Sequence, residues 1–280
     1  MAGIAFVKGH GTENDFVLLP DLDAALDLTA ERVRALCDRQ RGLGADGVLR
    51  VLPARAADVD TAADWFMDYR NADGSIAEMC GNGVRVFARY LVEAGLAQPG
   101  AFAIGTRSGD RAVTVPAADP AGTVTVHMGR AVVMGRSVAQ LAGRAFPGVV
   151  VDVGNPHLAC VTDVDITDLD LTVAPGYDPA VFPHGVNVEF LNEPAPGTLR
   201  MRVHERGVGE TRSCGTGTVA AVAAALHLAG RTEGRCTVGI PGGQVVVTVS
   251  DDDCTMTGPA VLVAAGELSA EWWADAAKQR

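Results

Sequence analysis

Residues 205–218 read ERGVGETRSCGTGT, and an almost purely apolar run, Val219–Leu226, follows them. A second stretch with the same plan lies far upstream. Residues 71–83 read NADGSIAEMCGNG and lead into a helix-like run, Val84–Leu91. Both stretches contain the pattern Cys-Gly-x-Gly just before a segment of helical length. The repetition predicts two related helices, each of which begins at a cysteine.

The two cysteines, Cys80 and Cys214, would lie where a helix presents unpaired N–H groups and the positive end of its dipole. A thiolate is stabilised there, so the pKa of such a cysteine can fall well below the free value of about 8.5. The same N–H groups can hold a carboxylate. Two matching sites suggest one thiolate and one thiol on opposite sides of a carboxylate-bearing carbon, an arrangement that can invert a stereocentre.

A simpler interpretation is that each cysteine is a small buried residue beside a tight turn, which is common for free cysteine. Two features favour a reactive site instead. The motif occurs twice, and a polar residue stands nine positions before each cysteine, Asn71 before Cys80 and Glu205 before Cys214. Packing in a core does not require these polar residues.

The composition is that of a globular enzyme-sized protein. The chain has 280 residues, of which 48% are hydrophobic, so a large core is available and global disorder is excluded. A net charge of −11 argues against nucleic acid or an anionic membrane as a partner. We find neither a leader-like N-terminus nor an apolar run of about 20 residues, and therefore expect a cytoplasmic protein with reduced cysteines.

Short strand-like segments flank the two helical runs in the same order, and polar turns at His10–Asp15 and Gly154–His157 separate the first strands of each half. Because a helix that is apolar nearly all round is buried, we expect each half to wrap a sheet around its helix. The fold class predicted is mixed α/β (α+β), with two pseudo-symmetric domains, each a curled, mainly antiparallel sheet or barrel around a central helix.

The seam is expected within residues 116–122, which gives an N-terminal half of 1–120 and a C-terminal half of 121–268. A final helix within 269–280 is expected to pack back on the first half. Residues 54–63 are expected to form a surface loop.

At this point the sequence resembles the diaminopimelate epimerase family over nearly its whole length. The matching motifs are residues 11–16 (GTENDF), 42–47 (GLGADG), 71–75 (NADGS), 79–83 (MCGNG), 154–157 (GNPH), 205–207 (ERG) and 213–217 (SCGTG). Two cysteine motifs with these partners are highly specific. A single one would not be, because proline racemases and phenazine-type isomerases share the fold.

The resemblance implies a cytoplasmic, cofactor-independent, homodimeric epimerase that acts on diaminopimelate in lysine and peptidoglycan precursor synthesis, with the site in the cleft between its domains. It implies that Cys80 and Cys214 are the acid–base pair and that His157 and Glu205 tune them. The side chains implied to grip the substrate are Asn14, Asn71, Asn155, Asn187, Glu205 and Arg206. The backbone groups implied to hold the reacting carboxylate belong to Gly81, Asn82, Gly215 and Thr216.

One position departs from the family pattern, because Gly47 stands where many members carry glutamine. No metal is expected: His157 and Cys160 have a ligand-like spacing, but no second pair completes a four-ligand set. The remaining cysteines, Cys37, Cys160, Cys236 and Cys254, are expected to be inert.

Three other functions remain open from the residues. A proline racemase-like enzyme would not need Arg206 and the asparagine set for a second, distant carboxylate. A dithiol redox protein would cycle a disulfide between Cys80 and Cys214 with a partner reductase. A binding protein that had lost the chemistry would have no reason to keep both cysteines.

Overall fold

The computed structural model describes residues 3–119 and 121–277. The chain forms two compact units: residues 1–126 with 259–280, and residues 127–258. Position 120, which ends the predicted first half, and residues 278–280 of the predicted last helix lie outside the described residues. The predicted boundaries of the two halves, residues 1–120 and 121–268, remain a prediction.

The chain begins with two helices and seven strands. They are β1 (Ile4–Gly11), β2 (Asn14–Pro20), α1 (Ala30–Cys37), β3 (Gly47–Pro53), β4 (Trp65–Asn71), α2 (Gly81–Glu93), β5 (Gly100–Ile104), β6 (Arg111–Val115) and β7 (Thr123–Gly129). A single 3₁₀ turn, Ala54–Ala56, follows β3.

The rest of the chain contains the second long helix. The elements are β8 (Val132–Leu141), β9 (Arg144–Asp152), β10 (Pro156–Val161), a 3₁₀ turn (Ile166–Asp168), β11 (Asn187–Ala195), β12 (Thr198–Glu205), β13 (Gly209–Thr211), α3 (Gly215–Leu228), β14 (Gly234–Ile240), β15 (Gly243–Val249), β16 (Cys254–Pro259), β17 (Val261–Leu268) and α4 (Ala270–Ala276).

The first unit contains a five-stranded sheet in the order β17-β1-β2-β3-β4. All neighbours in it are antiparallel except β2 and β3. Helix α2 packs on β1, β2, β6 and β17, while α1 packs on β3 and also contacts α4. Trp273 of α4 is buried, and the Arg32 guanidinium lies 4.8 Å from its ring centroid. The last helix is thereby joined to the first unit.

The strands of the second unit follow the order β16-β15-β14-β12-β11-β10-β9-β8 within a 12-stranded sheet, and β13 pairs with β12. Two neighbouring pairs, β10 with β11 and β12 with β14, are parallel. No pairing between β8 and β16 closes the sheet in the described part of the chain, so of the two predicted forms the structure has an open sheet and not a barrel.

Helix α3 is the centre of the second unit, and Val219–Ala224 are buried without exception. Its sequence contains no ionised side chain in this run, so the helix can be surrounded by strands on several sides. Helix α2 is also buried over most of its length, but it carries one charged group into the core, Arg85. The predicted fold class, a sheet with a buried central helix in each of two units, is confirmed, but only α3 is apolar nearly all round.

Two strands were not predicted. Strand β8 is mostly exposed and is interrupted by Gly135, where φ is +145° and the register with β9 shifts, so its apolar alternation is weak. Strand β13 has only three residues. The predicted loop 54–63 was partly wrong: Ala54 is buried against Leu52 and Phe66. None of the helices in the described residues is long and apolar enough to cross a membrane.

Candidate active site

Cys80 is the N-cap of α2 and has extended backbone angles, φ −144° and ψ 117°. Its half-buried sulfur accepts a hydrogen bond from the Gly83 N–H at 3.4 Å. The first bond of the helix ladder is from Val84 N to Cys80 O, at 2.8 Å. The N–H groups of Gly81 and Asn82 therefore precede that ladder, at the end of the helix where an anion is favoured.

Asn14 connects Cys80 to the rest of the first unit. Its side-chain oxygen accepts from the Cys80 thiol at 3.6 Å and from Asn82 Nδ2 at 3.2 Å. Its Nδ2 donates to Asp46 Oδ2 at 2.8 Å. Asp46 is also paired with Arg39 at 2.7 Å. Asn14, Cys80 and Asn82 thus form one cluster, and Asp46, which was not predicted, fixes the orientation of its central amide.

Asn71 ends β4 and lies opposite Gly47 of β3. Its Nδ2 donates to Ser75 Oγ at 3.0 Å, and its backbone N–H donates to Ser75 O at 3.0 Å. A β carbon at Gly47 would approach Arg70 O to 2.6 Å and a ring carbon of Tyr69 to 2.7 Å. Any side chain at position 47, glutamine included, would therefore require the strand pair to shift.

A fully buried cation lies within electrostatic reach of Cys80. Arg85 donates from Nη2 to Thr12 Oγ1 at 3.0 Å and from Nε to Pro259 O at 3.3 Å. Burial lowers the pKa of Arg85 to about 10, and attraction to Cys80 opposes that change. A guanidinium of this pKa is charged at neutral pH, so it favours the thiolate of Cys80.

Cys214 is the N-cap of α3, with φ −121° and ψ 113°, close to the angles at Cys80. Its sulfur lies 3.7 Å from Thr216 Oγ1, and its carbonyl accepts from Thr218 N at 3.0 Å. Cys214 is 6% exposed, whereas Cys80 is half-buried. The N–H groups of Gly215 and Thr216 occupy the same helix positions as those of Gly81 and Asn82.

The expectation of a lowered cysteine pKa is wrong for Cys214 in this structure. Burial raises the pKa of the Cys214 thiol well above its ordinary value, and the carboxylates of Glu205 and Glu189 raise it further. The hydrogen bonds from Gly217 and Thr216 act in the opposite direction but are outweighed. These tertiary neighbours are not visible in the local sequence at the start of the helix.

His157 is fully buried on β10 between two polar side chains. Its Nδ1 lies 2.6 Å from Glu189 Oε1, and its Nε2 lies 2.9 Å from Asn155 Oδ1. Burial raises the pKa of Glu189, and the neighbouring His157 opposes that increase. Glu189 was not singled out from the sequence, although a charged residue within the apolar strand segment 186–191 is a signal that could have found it.

Arg206 is exposed at the end of β12, and the polar residues around it hold its backbone and side chain. Its N–H donates to Asn187 Oδ1 at 2.9 Å, and its Nη1 donates to His184 O at 3.0 Å. Its Cδ lies only 2.8 Å from the point that a β carbon at Gly185 would occupy, where φ is +85°. Glu205 accepts a hydrogen bond from the Thr211 hydroxyl.

All six cysteines are free thiols. Burial raises the pKa of Cys37 and of Cys160 to about 12. Burial also raises the pKa of Cys236 and Cys254. These four side chains lie in the core, away from the helix N-caps, and are expected to be unreactive.

The sequence model of the diaminopimelate epimerase family matches residues 6–134 and 149–263. The chain belongs to the diaminopimelate epimerase family. It is 59% identical to the diaminopimelate epimerase of Rhodococcus jostii (strain RHA1), over 96% of this chain and 98% of that protein. It is 57% identical to the diaminopimelate epimerase of Mycolicibacterium smegmatis (strain ATCC 700084 / mc(2)155), with the same coverage. A member of this family is an isomerase.

Solved structures of more distant proteins share the fold of this diaminopimelate epimerase family member. A PhzF-family phenazine biosynthesis protein of Bacillus anthracis aligns with a TM-score of 0.68 at 16% identity, covering 96% of this chain and 100% of that one. A hydroxyproline epimerase from Agrobacterium vitis aligns with a TM-score of 0.67 at 18% identity, covering 95% and 90%. At these identities the likeness concerns the fold alone.

Proposed function

We propose that this protein interconverts LL-2,6-diaminopimelate and meso-diaminopimelate by a cofactor-independent, two-base proton transfer at one α-carbon. Cys80 and Cys214 are the proposed acid–base pair. The observation that carries the proposal is the matched position of these residues: each is the N-cap of the central helix of its unit, and both lie within the family match.

The proposed step needs one thiolate and one thiol on opposite faces of the α-carbon. In the LL-to-meso direction, the Cys214 thiolate takes the α-proton and the electron pair of the C–H bond moves toward the carboxylate. The Cys80 thiol then delivers its proton to the other face, and the roles exchange in the reverse direction. The burial that raises the pKa of Cys214 also makes its thiolate a stronger base.

The carbanion requires stabilisation, because an α-proton of an amino acid is only very weakly acidic. Backbone N–H groups at two helix ends would supply it, if those of Gly81, Asn82, Gly215 and Thr216 converge on the reacting carboxylate. Fixed dipoles of this kind stabilise developing charge without reorganisation during the reaction. A cofactor would then not be needed.

The distal half of the substrate carries an amino group and a carboxylate that do not react. Arg206 is the proposed carboxylate ligand, because a guanidinium binds a carboxylate through two parallel hydrogen bonds. Asn14, Asn71, Asn155, Asn187 and Glu205 are the proposed remaining contacts, since amides donate and accept and a carboxylate binds an amino group. We further propose that the protein acts in the cytoplasm as a homodimer, in lysine and peptidoglycan precursor synthesis.

A substrate comparison tests this function against a proline racemase-like activity. The purified protein, without any added cofactor, should interconvert LL- and meso-diaminopimelate and leave L- and D-proline unchanged. Racemisation of proline in place of diaminopimelate would contradict the proposal. A redox role predicts a different result, namely a Cys80–Cys214 disulfide that cycles with a reductase, whereas here such a disulfide would only abolish turnover.

We expect a bell-shaped pH profile of kcat/KM, measured from about pH 5.5 to 10.5. At low pH both thiols are protonated and no base remains, while at high pH both are ionised and no acid remains. Because burial raises the pKa of Cys214, the loss of its proton is expected above the ordinary range of a thiol. A profile that stays flat from pH 6 to 9 would count against a thiol pair.

A further inference from the structure

Glu189 is a fully buried carboxylate near the start of β11, between Val188 and Phe190. Its Oε1 is hydrogen-bonded to His157 Nδ1, but its Oε2 is buried and has no hydrogen-bond partner in the described part of the chain. A buried carboxylate is costly even when it is paired. Packing alone therefore does not account for glutamate at this position.

The sheet register brings Glu189 to His157. Strands β10 and β11 are parallel, with His157 opposite Asn187 and Ala159 opposite Glu189. Side chains two residues apart on a strand share a face. Asn187 and Glu189 therefore point to the same side as His157, and the imidazole lies beside both.

A chain of hydrogen bonds leads from Glu189 to a proposed substrate ligand. His157 Nε2 is 2.9 Å from Asn155 Oδ1. Because an amide oxygen only accepts, this contact is a hydrogen bond in the ring form that carries a proton on Nε2. When the oxygen of the Asn155 amide is hydrogen-bonded to the ring, the NH₂ group is the part of the amide that remains to donate to another group.

The same carboxylate lies close to the proposed base of the second unit. A β carbon placed on Gly217 would be 2.9 Å from Glu189 Oε1 and 3.2 Å from Cys214 Sγ. The Glu189 carboxylate and the Cys214 sulfur therefore both lie close to this point, which is empty because glycine has no β carbon. Of the ionisable side chains near Cys214, Glu205 lies on β12, His157 on β10 and Glu189 on β11.

We propose that Glu189 is a positioning residue of the epimerase: it holds the His157 ring so that Nε2–H fixes the amide of Asn155 as a donor to the substrate. This rests on the proposed function, because it assigns Asn155 to substrate binding. Glu189 does not touch the substrate. Its removal should therefore act mainly on substrate binding. The effect on the pKa of Cys214 should be smaller, because burial and Glu205 contribute more to that pKa than Glu189 does.

Steady-state kinetics of Glu189→Leu and Glu189→Gln on LL-diaminopimelate provide the first test. Loss of the ordered amide should raise KM about tenfold in Glu189→Leu, with a smaller change in kcat. Glu189→Gln should recover most of the wild-type KM, because its amide can donate to Nδ1 and leave the proton on Nε2. Glu193→Leu is the matched control, since Glu193 is an exposed glutamate on the same strand. Unchanged KM in Glu189→Leu would overturn the proposal.

A double-mutant cycle shows whether the effect passes through Asn155. In an Asn155→Ala background, Glu189→Leu should add little to KM, because the group that it orients is already absent. Additive increases in KM would mean that Glu189 acts by another route. If the wild-type protein does not epimerise diaminopimelate at all, the proposed function fails, and not only the role of Glu189.

One measurement needs neither activity nor a folded Glu189→Leu variant. In the wild-type protein with ¹⁵N-labelled histidine, the imidazole signal that disappears in His157→Gln should show a proton on Nε2 at pH 7.5. An unprotonated Nε2 would overturn the proposal, because that nitrogen could not donate to Asn155.

Discussion

Cys80→Ala and Cys214→Ala should each lower kcat/KM for diaminopimelate epimerisation by about 10²- to 10⁴-fold or more, the range for loss of a general acid or base. Inversion needs both groups in one turnover, so neither thiol can replace the other. Substrate affinity should change little, because the proposed contacts with the substrate are made by other side chains and by backbone N–H groups, which both variants keep. Epimerisation rates give the first quantity, and calorimetric titration of the inactive variants gives the second.

Cys236→Ala is the matched control for these variants. Cys236 is a buried thiol on β14, in the same unit as Cys214, but it is not at a helix N-terminus. It should keep near-wild-type activity, although its thermal stability can fall with the small cavity that is created. If either Cys80→Ala or Cys214→Ala kept full activity, that residue would have no place in the proton transfer.

Arg206→Ala should raise KM by about 10- to 100-fold, because a lost charge-assisted contact is worth about 1.5–3 kcal/mol. The effect should appear mainly in KM, since the contact proposed is with the part of the substrate that does not react. Arg206→Lys should restore only part of the affinity, because lysine lacks the planar fork that matches a carboxylate.

Arg235→Ala provides the comparison for Arg206→Ala, since Arg235 is an exposed arginine on β14. Its KM should equal that of the wild-type protein. Equal KM values for Arg206→Ala and Arg235→Ala would remove Arg206 from the substrate site. Thermal melting of both variants shows that the comparison is made between folded proteins.

The helix starts were predictable because the signal is local. Cys-Gly-x-Gly followed by an apolar run determines where α2 and α3 begin, and both cysteines are N-caps. Thr29 and Ser269 have the side-chain chemistry typical of N-caps, and each accepts a hydrogen bond from the first turn of its helix. Strand β8 was missed because its exposed positions and Gly135 weaken the alternation on which such a prediction depends.

The surroundings of the candidate site were much less predictable, because they depend on strand register and burial. Asp46 accepts a hydrogen bond from Asn14, which lies 32 positions earlier in the sequence. Glu189 is hydrogen-bonded to His157 on the neighbouring parallel strand. The helix dipole at Cys214 is visible in the local sequence, whereas the burial and the two carboxylates that raise the pKa of its thiol are not. The burial of Arg85 was not predicted, because the helix that contains it was expected to be apolar. The roles of the remaining site residues stay predictions for the experiments above.

Deuterium incorporation tests the central claim, that two different thiols serve one α-carbon. With LL-diaminopimelate in heavy water, early meso product should carry one deuterium per molecule by mass spectrometry, at the inverted carbon. The recovered LL substrate should remain unlabelled, because the thiol that takes the proton is not the one that returns it. Label at both α-carbons, or meso product that retains its original proton, would contradict the account.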